Sequence, residues 1–225
     1  MSDISSIPPP PFDSNPRFNQ LNTSIWILFT VAGAIGAVQV VLTLILGTQF
    51  IDLDNRNTRS KENAAETVEF FVDTTIGLNM LLALAIFALL VIYCFKLVLK
   101  VRSAGHAIRM PNGLAIGAWF IPFANAILCF LFFIDIAKAD QDNRQRGLIY
   151  LNLWWWPYLI GVHGGLFLES AKDNSTYYLD AGYLSYASAA FTVIAVASAF
   201  FAVMFFRQIR HFEAKIDQQA NSASI

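Results

Sequence analysis

The chain has 225 residues, of which 56% are hydrophobic and only 14% are charged, and its mean hydropathy is +0.51. Soluble domains carry about 25% charged residues. Here the shortfall is concentrated in long uncharged runs, which predicts an all-α integral membrane protein. The net charge of −1 gives no reason to expect a nucleic-acid partner. Cys94 and Cys129 both lie in apolar runs, and their spacing fits neither a disulfide framework nor a zinc site.

Residues 1–24 form a polar, proline-rich leader that contains four consecutive prolines, Pro8 to Pro11. Such a run favours an extended polyproline II segment, which either docks on a proline-recognising domain or stays unstructured. Pro16 follows a serine and an asparagine, which predicts a helix start and a short interfacial helix before the first apolar run. The leader lacks a basic n-region, so we expect no signal-peptide cleavage.

Four apolar runs are long enough to cross a bilayer as helices. They are residues 25–46, 75–99, 148–168 and 183–206, within a single transmembrane helical domain at 25–215 that precedes a polar tail at 216–225. Ala65, Val68 and Val72 recur at helical spacing before the second run. The sequence therefore predicts one helix of about 40 residues from Ser60 through this run. Gly33 and Gly36 form a small-residue face on which another helix can pack closely.

A fifth apolar run, residues 113–134, contains Pro122 and Asn125. Pro122 removes a backbone donor and blocks one helical turn, and Asn125 can hydrogen-bond to the freed groups. If this run does not cross the bilayer, 11 of the 15 lysines and arginines lie on the cytoplasmic side, whereas five crossings from the same start leave only six there. We therefore expect a cell-membrane protein with four transmembrane helices, both termini in the cytoplasm, and a broken re-entrant or interfacial segment at 113–134. Five transmembrane helices are the alternative.

The segment from Trp119 to Asn125 reads W-F-I-P-x-x-N, with a basic segment before it and a tryptophan cluster after it. In this order of features the chain resembles bacterial inner-membrane proteins of the domain of unknown function 4328 family, over roughly residues 90–165. The resemblance implies a multi-pass membrane architecture and brings no activity with it. The chain departs from the family pattern after Asn125, where Leu128, Cys129 and Phe130 replace more polar residues.

Aromatic residues supply one candidate site. Trp154, Trp155 and Trp156 open the run 148–168, and such residues are enriched at membrane interfaces as an aromatic belt. The sharper hypothesis is that they wall a cleft with Trp119 and Phe120, into which a lipid or an apolar ligand fits.

Charged and polar groups supply the other candidates. Lys96, Lys100, Arg102 and Arg109 are four basic residues in a segment without acidic ones, and they either contact anionic lipid headgroups or serve only to fix the topology. His163 lies among glycines and either relays protons or binds a ligand, or forms a hydrogen bond between helices. Asp135 and Lys138 are spaced to form an ion pair at a helix end.

The sequence contains no catalytic motif, metal-ligand set or cofactor motif, so we expect a non-enzymatic protein. The leading hypothesis is that it binds membrane lipids, a membrane protein partner or a second copy of itself. The hypothesis from another class is a small transporter or channel with a path near Pro122, Asn125 and His163, since broken helices mark transporter sites.

Overall fold

The computed structural model describes residues 16–55, 59–109, 111, 117, 124–174 and 177–223. Within these ranges the chain forms five α-helices and a short 3-10 helix at Gln141–Asn143, with no strand. The helices are α1 (Pro16–Asn55), α2 (Arg59–Ser103), α3 (Ala124–Ala139), α4 (Arg144–Asp173) and α5 (Tyr178–Ala223). The predicted all-α class is confirmed.

Three of the helices are far longer than a bilayer requires. α1, α2 and α5 have 40, 45 and 46 residues. At about 1.5 Å per residue each is about 60 to 70 Å long, roughly twice the hydrocarbon thickness. Apolar stretches long enough to cross a membrane lie within Gln20–Leu53, Lys61–Ser103 and Leu179–Ser222. These three helices indicate a membrane-associated protein.

α4 contains the fourth predicted run, yet it does not reach the same hydropathy as the other three helices. The run 148–168 is interrupted by three tryptophans, a proline, a histidine and three glycines, all of which are less apolar than leucine or isoleucine. The fourth crossing therefore stays a prediction.

The predicted helices can be compared with those of the structure. The described part of α1 runs without a break from Pro16 to Asn55, so the segment expected as a short interfacial helix is the first part of one continuous helix. α2 runs without a break from Arg59 to Ser103, which confirms the predicted long helix. In the fifth run, the described helix α3 runs from Ala124 to Ala139. Residues 112–116 and 118–123 lie outside the described part of the chain.

The chain divides into two compact units. The terminal unit contains the described residues of Met1–Ser24, Leu89–Leu148 and Phe206–Ile225, and the central unit contains Ile25–Ala88 and Ile149–Phe205. The central unit has borders at residues 25, 149 and 205, each within one residue of a predicted run limit at 25, 148 or 206. The second run differs, because its residues 89–99 belong to the terminal unit.

Helices α1, α2 and α5 share an apolar cluster in the central unit. It consists of Leu46, Phe50, Leu53, Ala65, Val72 and Ala181, with Leu42, Val68 and Ile76 packed against it. The burial of Ala65 and Val72 and the packing of Val68 confirm the helical spacing that the sequence predicted for this stretch.

Glycines allow close helix contacts elsewhere in the central unit. A Cβ atom on Gly36 of α1 would lie 2.7 Å from Cγ2 of Val196 on α5, which confirms the predicted packing face. A Cβ atom on Gly161 of α4 would lie 2.7 Å from the backbone nitrogen of Ala195, also on α5. A Cβ atom on Gly164 would likewise come too close to the ring of Phe191.

Helices α2, α3 and α5 build the core of the terminal unit. Phe133 of α3 packs edge-to-face on Phe206 of α5, with ring centroids 5.9 Å apart. Tyr93 of α2 contacts the same Phe206 at a centroid distance of 5.9 Å. The largest fully buried side chains of this core are Tyr93, Leu97, Phe132, Phe133, Ile136, Phe206 and Glu213. A carboxylate is thus among the most deeply buried groups of an otherwise apolar set.

Candidate functional site

The structure describes only part of the segment from Trp119 to Asn125, which was predicted to form one wall of a cleft. Trp119, Phe120 and Pro122 lie outside the described residues. Asn125 occupies the first turn of α3, and its side chain is also outside the described part. The cleft between this motif and the tryptophan cluster therefore stays a prediction.

The tryptophan cluster does not form a single surface. Trp154 is buried in the central unit, where its ring centroid lies 5.6 Å from that of Phe29 and 5.8 Å from that of Phe205. Trp155 is buried beside it, whereas Trp156 is 45% exposed. Consecutive helical residues point in directions about 100° apart, because a turn has 3.6 residues. Only Trp156 is therefore exposed enough for an aromatic belt.

His163 is exposed on α4 in the central unit, so it faces outward from that unit. Asn125 belongs to the terminal unit. The predicted transport path near these two residues stays a prediction.

The four predicted headgroup contacts have different surroundings. Lys96 is exposed on α2, but Lys100 is buried, and its Nζ lies 2.7 Å from Oδ1 of Asp217 on α5. Arg102 is half-buried and donates from Nη2 to the backbone oxygen of Ile108 at 3.2 Å. Arg109 is exposed but bonded to Asp135. Of the four, Lys100 is too deeply buried to contact a lipid headgroup.

Asp135 pairs with Arg109 and not with Lys138, so the predicted ion pair along α3 is wrong. Arg109 donates from Nε to Oδ1 at 3.0 Å and from Nη2 to the same oxygen at 2.7 Å, and its backbone nitrogen donates to Oδ2 at 3.1 Å. Hydrogen bonds to Asp135, together with its negative charge, raise the pKa of the Arg109 guanidinium. A planar guanidinium satisfies both carboxylate oxygens better than the single ammonium of a lysine on the same helix.

A chain of buried hydrogen bonds joins three helices of the terminal unit. Asn22 of α1 donates from Nδ2 to the hydroxyl of Tyr93 on α2 at 2.7 Å and to the backbone oxygen of Phe206 at 3.3 Å. The Tyr93 hydroxyl in turn donates to Oε1 of Glu213 on α5 at 2.6 Å. Asn22, Tyr93 and Glu213 are all fully buried, with 0% exposure. Buried hydrogen bonds of this kind fix the register of the helices that they join.

Two acceptor oxygens of this network have no hydrogen bond among the described residues. Among the described residues, neither Oε2 of Glu213 nor Oδ1 of Asn22 has a hydrogen-bond partner. Buried acceptors are usually satisfied, so these two oxygens are exceptions within the network.

The burial of Glu213 could have been predicted from the helical spacing of the apolar residues around it. Phe206, Ile209, Phe212 and Ile216 are all buried, at the spacing of one helix face. Glu213 falls on this same face, so its burial follows from the period. Its partner Tyr93 lies 120 residues away in sequence, and no local pattern predicts that contact.

A second ion-pair cluster lies at the start of α4. Lys215 of α5 contacts Oδ2 of Asp142 at 2.8 Å and Oδ1 of Asp140 at 3.3 Å. The hydrogen bond from Lys215, with its positive charge, lowers the pKa of the Asp142 carboxyl. The hydrogen bond from Gln208 to the backbone oxygen of Asn143, at 2.9 Å, attaches α5 to the same turn. These contacts attach α5 to the turn that precedes α4.

Comparison with known proteins yields one match. A family model described as "Domain of unknown function (DUF4328)" matches residues 56–212, from the start of α2 into α5. No curated protein and no solved structure matches the chain. The family match covers well over half of the chain and agrees with the resemblance seen in the sequence. This protein is therefore a member of the DUF4328 family.

Proposed function

We propose that this protein is a multi-pass cell-membrane protein with four crossings and with both termini in the cytoplasm. α4 supplies the fourth crossing, since its 30 residues extend about 45 Å. The distribution of lysine and arginine favours the same topology.

We further propose that the protein acts by binding and not by catalysis. One observation supports this most. The buried charged groups of the terminal unit are occupied with one another or with polar neighbours, as in Lys100 with Asp217 and Asp135 with Arg109. Groups held in this way stabilise the fold and are not free to transfer protons to a substrate. The exposed surface of the helices is what remains for partners.

That exposed surface is largely apolar along the predicted spans. Val38 and Val41 on α1, Leu81 and Leu84 on α2, and Phe200 on α5 are all exposed. Apolar patches of this extent in a soluble protein mark interaction sites or membrane contact. The proposed partners are therefore membrane lipids and, at the small-residue helix faces, another membrane protein or a second copy of this chain.

Accessibility labelling tests the topology. Single cysteines are placed at Gln141 and at Asn174, in a background with Cys94 and Cys129 replaced by alanine. A membrane-impermeant maleimide is expected to reach position 174 in intact cells, and position 141 only after the membrane is opened. Reversal of either result would exclude four crossings with a cytoplasmic N-terminus.

Native mass spectrometry of the full chain, released from lipid nanodiscs, tests the binding function. We expect retained phospholipid, a reproducible protein partner or a defined homo-oligomer. A protein that is monomeric, delipidated and without any reproducible cross-linked partner in cells would contradict the proposal.

A further inference from the structure

α3 is apolar on both of its sides. Its inward side consists of Cys129, Phe132, Phe133 and Ile136, all buried in the terminal unit. On the opposite side, Ile127 is 58% exposed and Leu131 is 37% exposed. A helix that is apolar all round is normally buried on every side, so the outward side of α3 is expected to be covered.

The outward residues of α3 form one stripe that ends in a lysine. Ile127, Leu131, Ile134 and Lys138 are separated by four, three and four residues, which places them on one helix face. Ile134 is half-buried and Lys138 is exposed. The α3 stripe is therefore three apolar residues followed by one positive charge.

α2 carries a comparable stripe. Leu81, Leu84, Ala88, Ile92, Lys96 and Leu99 are all exposed and recur at intervals of three or four residues. The stripe begins among residues of the predicted span 75–99 and continues on the same helix into the terminal unit, where Ile92 is 49% and Leu99 is 43% exposed. The exposed apolar surface along α2 thus continues past Leu89, the first residue of α2 in the terminal unit.

The charges on the two stripes identify what covers them. Lys96 and Lys138 lie on the stripes, and no acidic residue shares either face. Asp135 is the single carboxylate of α3, and it is buried and bonded to Arg109. Lysine side chains extend along apolar surface and place their ammonium groups at the headgroup level, where each contributes about 1 kcal/mol near an anionic membrane. Apolar stripes that carry only positive charge match an anionic lipid surface.

We infer that the outward stripes of α2 and α3 are a lipid-contact surface of the terminal unit. Ile92, Leu99, Ile127 and Leu131 contact acyl chains, and Lys96 and Lys138 contact anionic headgroups. This inference rests on the proposed membrane function and adds to it the face of α3 that meets the bilayer and the chemical class of lipid that it selects.

The first experiment measures what surrounds each stripe. Single cysteines replace Ile127, Leu131, Leu81 and Asp142, one per variant, in the background without Cys94 and Cys129, and each is labelled with an environment-sensitive fluorophore. The full chain is reconstituted in vesicles of phosphatidylglycerol and phosphatidylethanolamine. We expect labels at 127, 131 and 81 to be quenched by nitroxide-labelled lipid. The label at 142, in the exposed 3-10 helix, is expected to be quenched by aqueous iodide.

The second experiment tests the headgroup contact. The relative binding constant of phosphatidylglycerol over phosphatidylcholine is measured from quenching at position 131 by nitroxide-labelled versions of each lipid. Lys96→Gln and Lys138→Gln are each expected to lower this ratio by about fivefold, the equivalent of about 1 kcal/mol. Lys61→Gln, an exposed lysine of the central unit paired with Asp52, serves as the matched control and should leave the ratio unchanged.

The outcomes separate this inference from the proposed function. If iodide quenches the labels at positions 127 and 131 while lipid still quenches the label at 81, the lipid-contact surface is overturned. The proposed membrane function is not contradicted by that result. Quenching of 81 by iodide as well overturns both. Labels at 127 and 131 that are shielded from both quenchers show that protein covers α3, which also overturns the inference.

Discussion

At the scale of single residues, the terminal unit depends on polar side chains in an apolar setting. Tyr93 both accepts a hydrogen bond from Asn22 and donates one to Glu213, so one hydroxyl joins α1, α2 and α5. Lys100 and Asp217 connect α2 to α5 a second time. Buried polar groups without partners are costly, which makes each of these contacts specific for one arrangement of the helices.

Tyr93→Phe removes the hydroxyl and leaves both Asn22 and Glu213 without their partner. We expect the free energy of unfolding of the terminal unit to fall by about 1 to 3 kcal/mol. Thermal unfolding is followed with a thiol-reactive fluorophore, since Cys94 and Cys129 are both buried in this unit and become reactive when it opens. Tyr183→Phe, at an exposed position of α5, is the control and should change stability by less than about 0.5 kcal/mol. Equal effects of the two variants would show that the network does not stabilise the unit.

At the scale of helices, sequence patterns predicted what is local and missed what depends on distant neighbours. The α2 helix and the packing face at Gly33 and Gly36 both follow from residue spacing within a few turns. The burial of Lys100 does not, because it is set by Asp217 on a helix 117 residues away. Which side chains of residues 89–99 are buried depends on distant neighbours for the same reason. Apolar side chains such as Cys94, Leu97 and Val98 suit either lipid or a protein core, and hydropathy alone does not distinguish the two.

The close contact between α4 and α5 leads to a prediction at the scale of helices. A Cβ atom on Gly161 would lie 2.7 Å from the backbone nitrogen of Ala195 and 2.8 Å from the backbone oxygen of Phe191, and backbone atoms cannot rotate away. Gly161→Ala is therefore expected to separate the helices and to lower the melting temperature in nanodiscs. Gly77→Ala is the matched control, because no atom lies within 4 Å of a Cβ there. That change should leave stability equal or raise it by about 0.5 to 1 kcal/mol, since alanine favours a helix over glycine. A lower melting temperature for the control alone would contradict the packing argument.

At the scale of the whole molecule, the chain combines a terminal unit rich in polar contacts with a central unit whose outward faces are apolar. Composition predicted the membrane class, and counting charges predicted a topology. Neither indicated that Glu213, in the stretch after the last apolar run, is part of a core, because charge counts treat every ionisable side chain as exposed. For the candidate site, the sequence identified the tryptophans and the basic residues but not the burial of Trp154, Trp155 and Lys100, which depends on distant helices.

Two truncations distinguish the roles of the units. A chain that ends after Phe212 loses Glu213, Ile216 and Asp217 but keeps all four apolar runs, so it should still insert in the membrane. Its terminal unit should open, and Cys94 and Cys129 should react with maleimide in detergent at ambient temperature. A chain that ends after Ala220 keeps the network and should protect both thiols. Protection of the thiols in both chains would show that the last turns of α5 are dispensable.

The interrupted apolar run of α4 has a consequence for how the protein is made. Aromatic, glycine, proline and histidine residues make this segment the least able of the four predicted crossings to partition from the translocation channel into lipid on its own. α5 follows it directly in the chain and supplies the faces that receive Gly161 and Gly164. We therefore expect the proposed crossing by α4 to require the synthesis of α5, with the two helices entering the bilayer as a pair.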